Sequence, residues 1–195
     1  MIGEQLEFTI DGKSIIPHKW EIKVKHDEWC ENPRTFENNL GKFLVRNTLK
    51  YVENEMDISL DDMGVEELAD LREDNILYPV YVYDHSGWNM WIGEVGEQLP
   101  CRFDSGLIGW YVVPKEFEKV YQDLKGICKN EVKWYSLWAN GECYEFELYC
   151  DGEMVDTCAG FIGDDYEELA KHMMDMFPEN CDLTLEDVKQ AIREA

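Results

Sequence analysis

Alternation of apolar and polar positions is clearest in the last third of the chain. In ECYEFELYCDGEMVDTCAGF, residues 142–161, Tyr144, Phe146 and Leu148 alternate with charged neighbours and Asp151-Gly152 offers a two-residue turn. That pattern predicts a β-hairpin. In DDYEELAKHMMDMF, residues 164–177, Tyr166, Leu169, Met173 and Phe177 recur at spacings of three and four, which predicts an amphipathic helix. LTLEDVKQAIREA, residues 183–195, predicts another, with Thr184 as N-cap and Asp187 at the third helical position, a capping-box arrangement.

The earlier part of the chain is read in the same way. LEFTI, DGK and KWEIKVKH predict one hairpin, with Trp20, Ile22 and Val24 on a shared face. FENNLGKFLVRNTLKYV places Phe36, Leu40, Phe43 and Leu44 at near-helical spacing, so a helix is expected there in spite of Gly41. GVEELADLRED predicts a short helix with Val65, Leu68 and Leu71 as its apolar stripe. NILYPVYVYDH and GLIGWYVV read as strands, and Pro79 within the first points to a bulge or an edge position. SGWNMWIGEVGEQ reads as a Gly-broken strand or loop. After Pro114, a helix over KEFEKVYQDLKG is expected with Phe117, Val120, Tyr121 and Leu124 on one face and Gly126 as its stop. A further helix is expected over NEVKWYSLWAN. Strands and helices mix without a βαβ rhythm. The expectation is therefore an α+β fold, one domain over 1–195, with a mainly antiparallel sheet, packed helices and a helical C-terminal segment at 164–195.

Charge changes this picture more than composition does. Hydrophobic residues make up 45% and aromatics 13% of the 195 residues, enough for a core, yet the formal net charge is −24. Direct binding to nucleic acid or to an anionic membrane is not expected, since either needs clustered cations. A basic partner is. Between Glu53 and Asp74 the chain carries Glu53, Glu55, Asp57, Asp61, Asp62, Glu66, Glu67, Asp70, Glu73 and Asp74 against a single Arg72. A second acidic stretch holds Asp164, Asp165, Glu167 and Glu168. Rows of carboxylates on a folded surface can imitate the phosphate density of DNA and occupy a basic channel. The alternative is a solvated face that keeps the protein soluble.

Chemical motifs are sparse. No apolar run spans a membrane and the first residues lack a signal-peptide pattern, so a cytoplasmic location is expected, with the seven cysteines reduced. The four histidines are scattered and no C-x-x-C, H-x-x-x-H or H-E-x-x-H occurs, so neither a metal nor a cofactor is expected. GEVGEQ and GLIGW lack the lysine and the helix start of a phosphate loop. DHSGW and CRFDSG together hold His85, Cys101, Arg102 and Asp104. These residue types suit a small-ligand pocket centred on His85, Arg102 and Asp104, or, as a weaker reading, a hydrolase using Cys101 and His85. The plainer reading makes Ser86-Gly87 and Ser105-Gly106 turns.

Four stretches, NPRTFENNLGKF, LYPVYVYDHSG, CRFDSGLIGWYVVPKE and DGEMVDTCAGFIGDDY, occur in this order from Asn32 to Tyr166. They resemble a family of phage and mobile-element proteins of unknown function that carries PR-x-x-DNLG, YDHSG, C-x-W/F-DSG-x-x-G and DSCWGFYG boxes. This chain has VRNTLKYVENEMD where such proteins have an HRRYNLGD-like segment, and DTCAGF in place of DSCWGF. The resemblance implies a setting in a bacterial host cell, where small accessory proteins counter restriction, CRISPR or nucleotide-signalling defences. Joined to the charge, it leads to the expectation of a non-enzymatic inhibitor, an acidic DNA mimic that binds the basic surface of a nucleic-acid-handling host protein.

Overall fold

The computed structural model describes residues 8–10, 13–15, 18–47, 49–85 and 87–195. In chain order the elements are β1 (Phe8–Ile10), β2 (Lys13–Ile15), β3 (Trp20–His26), β4 (Lys42–Val45), α1 (Val65–Asp74), β5 (Asn75–Asp84), β6 (Trp88–Ile92), β7 (Ser105–Pro114), α2 (Leu124–Ala139), β8 (Cys143–Cys150), β9 (Glu153–Ile162), α3 (Tyr166–Met174) and α4 (Leu185–Arg193). All strand pairs are antiparallel, in sheets ordered β1-β2, β3-β8-β9 and β4-β7-β5-β6. The fold is α+β with C-terminal helices.

The chain divides into two compact units. The described part of Met1–Cys30 and Cys143–Ala195 make the first, and Glu31–Glu142 the second. The second unit is thus inserted between two strands, β3 and β8, that pair with each other from Trp20↔Cys150 to His26↔Tyr144.

In the first unit the sequence pattern translates directly. Tyr144, Phe146 and Leu148 leave one face of β8 and are buried against Leu169, Ala170 and Met173 of α3 and Val188 and Ile192 of α4. Trp20, Ile22 and Val24 close the core from β3. The β8–β9 turn is Asp151-Gly152, both with positive φ (54° and 87°), as a two-residue hairpin turn requires. Thr184 Oγ1 accepts from the Asp187 N–H, and the Asp187 carboxylate accepts from the Thr184 N–H at 2.8 Å, which closes the expected capping box. The N-terminal expectation is corrected in its pairing. Phe8–Ile10 pairs with Lys13–Ile15, whereas Trp20–His26 belongs to the other sheet of the unit. The Asp11-Gly12 turn lies outside the described residues.

The second unit departs further from the pattern. Among the described residues of 36–52 no helix forms: a 3-10 turn at Pro33–Thr35 leads into strand β4. Gly41 shows why. A Cβ there would sit 2.3 Å from the Tyr111 ring, so the chain can pass beneath that buried aromatic and pair with β7 only as glycine. Gly126 is not a stop either. Asp123 caps α2 by accepting the Gly126 N–H at 3.0 Å, so the glycine lies in the first turn of a helix whose buried stripe is Leu124, Cys128, Val132 and Tyr135. After Pro114, only Lys115–Lys119 forms a 3-10 helix, with Val120 exposed. β5 is an interior strand, and its register shifts between Val80 and Tyr81, next to Pro79. α1 forms as expected but buries none of its residues, and Val65 is 87% exposed.

Candidate functional site

A polar network runs through the second unit beside its core. Asn32 Oδ1 accepts the Arg34 N–H and fixes the 3-10 turn, which aims the Arg34 side chain inward. All five guanidinium N–H donors find acceptors. Nε and one Nη2 hydrogen go to the two Glu55 carboxylate oxygens at 2.9 and 2.8 Å, a bidentate pair. The other Nη2 hydrogen meets the Gly41 carbonyl, and Nη1 donates to Asn39 Oδ1 and the Tyr111 hydroxyl. Tyr111 in turn donates to Glu131, whose other oxygen accepts the Leu40 N–H at 2.8 Å. The guanidinium also lies near the faces of the Phe43 and Tyr111 rings, at 5.0 and 5.2 Å. Burial acts to lower the pKa of Arg34, but Glu55 and its other partners raise it overall. Burial pushes Tyr111 well above the ordinary tyrosine range and the Cys128 thiol up to about 12. Sequence reasoning missed this network because an Arg, a Glu and a Tyr so far apart carry no spacing signal.

This network corrects one expectation. Glu55 is not an exposed carboxylate for a partner: it is half-buried, holds Arg34 and accepts the Phe43 N–H at 2.8 Å. The other acidic candidates of the second unit, Glu53, Asp57, Asp61, Asp62, Glu66, Glu67 and Asp70, are exposed. Three of them fix local structure. Asp61 accepts the Asn47 N–H, Asp62 accepts the Ser59 hydroxyl and Glu67 caps the Gly64 N–H at the start of α1. In the first unit Asp165 caps α3 through the Glu167 and Glu168 N–H groups, Glu167 pairs with Lys171 at 2.6 Å, and Asp164 and Glu168 are exposed.

The structure brings the DHSGW and CRFDSG stretches together. Pairing of Tyr83 with Ser105 at the end of β5–β7 sets both loops side by side, and the Asp84 N–H donates to the Asp104 carbonyl at 2.8 Å. Asp104 Oδ2 lies 3.2 Å from the Cys101 thiol and 3.8 Å from His85 Nδ1. The Asp104 carboxylate is thus within reach of both the thiol and the imidazole. Arg102 is exposed in the turn between them. Ser105-Gly106 opens β7, while the turn itself is Arg102–Asp104. Ser86 lies outside the described residues.

A concave site exists elsewhere in the unit. A cavity of about 380 Å³ opens next to the Arg34 network, lined by Phe36, Asn38, Leu40, Tyr121, Asn130, Glu131 and Trp134. Its size falls in the usual range for small-ligand sites. Among the described residues no helix is long and apolar enough to cross a membrane. Comparison with family models, curated proteins and solved structures finds no match.

Proposed function

We propose that this is an acidic, non-enzymatic binding protein that docks on the basic nucleic-acid channel of another protein. The observation that carries this reading is α1. It sets Glu66, Glu67, Asp70, Glu73 and Asp74 on a ten-residue helix that has no fully buried residue and only Leu68 and Leu71 half-buried. At a rise of about 1.5 Å per residue, that is one carboxylate per ~3 Å of axis, against one phosphate per ~3.4 Å along a DNA strand. Glu66, Asp70 and Glu73 fall on one face, and the preceding loop adds exposed Glu53 and Asp57. The resemblance to phage and mobile-element proteins suggests a defence nuclease as the host of that channel, such as a CRISPR effector or a restriction enzyme.

The test is competition with duplex DNA for purified nucleases of these classes, at low and moderate salt. Binding that weakens as salt rises, and falls at least ~10-fold when Glu53, Asp57, Glu66 and Asp70 are all changed to Lys, is the expected result. The reading fails if the reversed protein competes as well as the native one.

A second reading, a small-ligand module, is supported by the cavity beside Glu131 and Trp134. Its check is quenching of tryptophan fluorescence by nucleosides, with loss of the signal in Trp134→Ala.

A further inference from the structure

The β8–β9 hairpin of the first unit ends in a group of side chains that the acidic-surface reading does not use. His18 Nδ1 lies 2.7 Å from Asp151 Oδ2. The metal-ligating atoms of His18, Cys150 and Asp151 all lie within 4.8 Å of one another. Strand geometry explains the convergence. Cys150 pairs with Trp20, so it projects from the same sheet face as Phe146 and Leu148, and His18 lies two residues before Trp20 along the same chain. Asp151 follows at the left-handed position of the turn, with φ 54°. Two hydrogen bonds to the Lys19 backbone hold it there. Its N–H donates to the Lys19 carbonyl and its Oδ1 accepts the Lys19 N–H, both at 2.9 Å. The carboxylate is therefore fixed, with its second oxygen turned toward the imidazole.

We propose that His18, Cys150 and Asp151 bind one divalent transition-metal ion of the zinc class at this hairpin tip. An imidazole, a thiolate and a carboxylate form a mixed N/S/O set that suits Zn²⁺. Ca²⁺ and Mg²⁺ seek oxygen ligands alone and fit it poorly. Zinc bonds of about 2.0–2.3 Å put tetrahedral ligand atoms roughly 3.3–3.7 Å apart. The His18–Asp151 atoms, at 2.7 Å, are closer than that and the Cys150 thiol lies within 4.8 Å of both, so binding a metal requires these side chains to adjust. Three protein ligands leave a fourth position to water. Short-spacing motifs miss such a site because His18 and Asp151 are 133 residues apart in sequence. Bound metal would staple the start of β3 to the hairpin turn.

The experiment titrates the reduced, chelator-stripped full chain with Co²⁺ and follows the thiolate-to-metal charge-transfer band, then displaces the cobalt with Zn²⁺. One equivalent, a band lost in Cys150→Ser, and affinity lowered at least ~10-fold in His18→Gln and in Asp151→Asn are expected. Asp151→Asn is chosen because Asn tolerates the left-handed turn, so the hairpin keeps its shape. Circular dichroism of each variant verifies that the fold is retained. Absence of the band in the native chain, a band of equal strength in Cys150→Ser, or equal affinity in all variants overturns the proposal.

Discussion

In the first unit the charges stay outside: Lys25 meets Glu145 and Glu147 on the exposed sheet face, and Glu186 meets Lys189 and Arg193 on the exposed side of α4. Its interior is Tyr144, Phe146, Leu148, Met173, Val188 and Ile192. In the second unit a charge goes in. The Arg34 side chain is 7% exposed and connects Glu55, Gly41, Asn39 and Tyr111. The first interior is held by non-directional apolar burial. The second works by bond direction. Arg34 accepts one loop path only, the one that carries Gly41 under Tyr111 and delivers Phe43 to β7. The lesson is that apolar patterning suffices where a hairpin packs on helices, whereas an irregular segment such as 31–41 is shaped by a buried ion and its acceptors.

The largest expected effect breaks that network. Arg34→Met takes from the half-buried Glu55 carboxylate its cationic partner, leaving it only the Phe43 N–H, and from the Tyr111 hydroxyl its donor, and breaking a pair of this kind costs about 3–5 kcal/mol. Arg34→Met with Glu55→Leu removes both charges and should be more stable than Arg34→Met alone, since the uncompensated carboxylate is gone. Urea unfolding followed by tryptophan fluorescence measures both. Simple additivity of the two changes would mean that the pair acts as an exposed one, and the contrast between the units would collapse.

That contrast also decides what could be read from sequence. The β8–β9 hairpin, α3 and α4 were legible, because period-two spacing in β8 and three-to-four spacing in the helices map onto buried faces, although Tyr166 of the α3 stripe is 37% exposed. Residues 36–44 were misread because Phe36, Leu40, Phe43 and Leu44 fit a helix locally, while the competing strand depends on β7, some seventy residues away. Gly126 was misread because a glycine near a helix end resembles a stop, although Asp123 just before it marks a start. Of the candidate sites, the pairing of β5 with β7 joined His85, Cys101 and Asp104 as their residue types invited, yet with the carboxylate in the central place. The acidic stretches were legible as charge, but the inward role of Glu55 was not.

A smaller change sharpens the comparison within the second unit. Tyr111→Phe keeps the ring over Gly41 and against Phe43 and removes only the hydroxyl that accepts from Arg34 and donates to Glu131. A buried acceptor left without its donor costs about 1–3 kcal/mol. The same urea experiment should show a loss in that range, smaller than that of Arg34→Met. A loss as large as that of Arg34→Met would make the hydroxyl, and not the ion pair, the centre of the network.

The smallest effect belongs to the first unit, where polar groups act at the surface. Thr184→Ala removes the N-cap of α4 and should cost ~1 kcal/mol at neutral pH. The Thr184 hydroxyl and N–H also hold the Asp187 carboxyl below its ordinary pKa. A carboxylate lowered in this way adds stability above its unfolded pKa of about 3.9 and loses it as pH falls through the folded value. The penalty of Thr184→Ala should therefore shrink when unfolding is measured in acid below that value, because protonation of Asp187 has already weakened the same box in the native protein. A penalty that stays constant from neutral to acid pH would assign the cap to the threonine alone, with Asp187 a bystander on a helix whose Val188 and Ile192 do the packing.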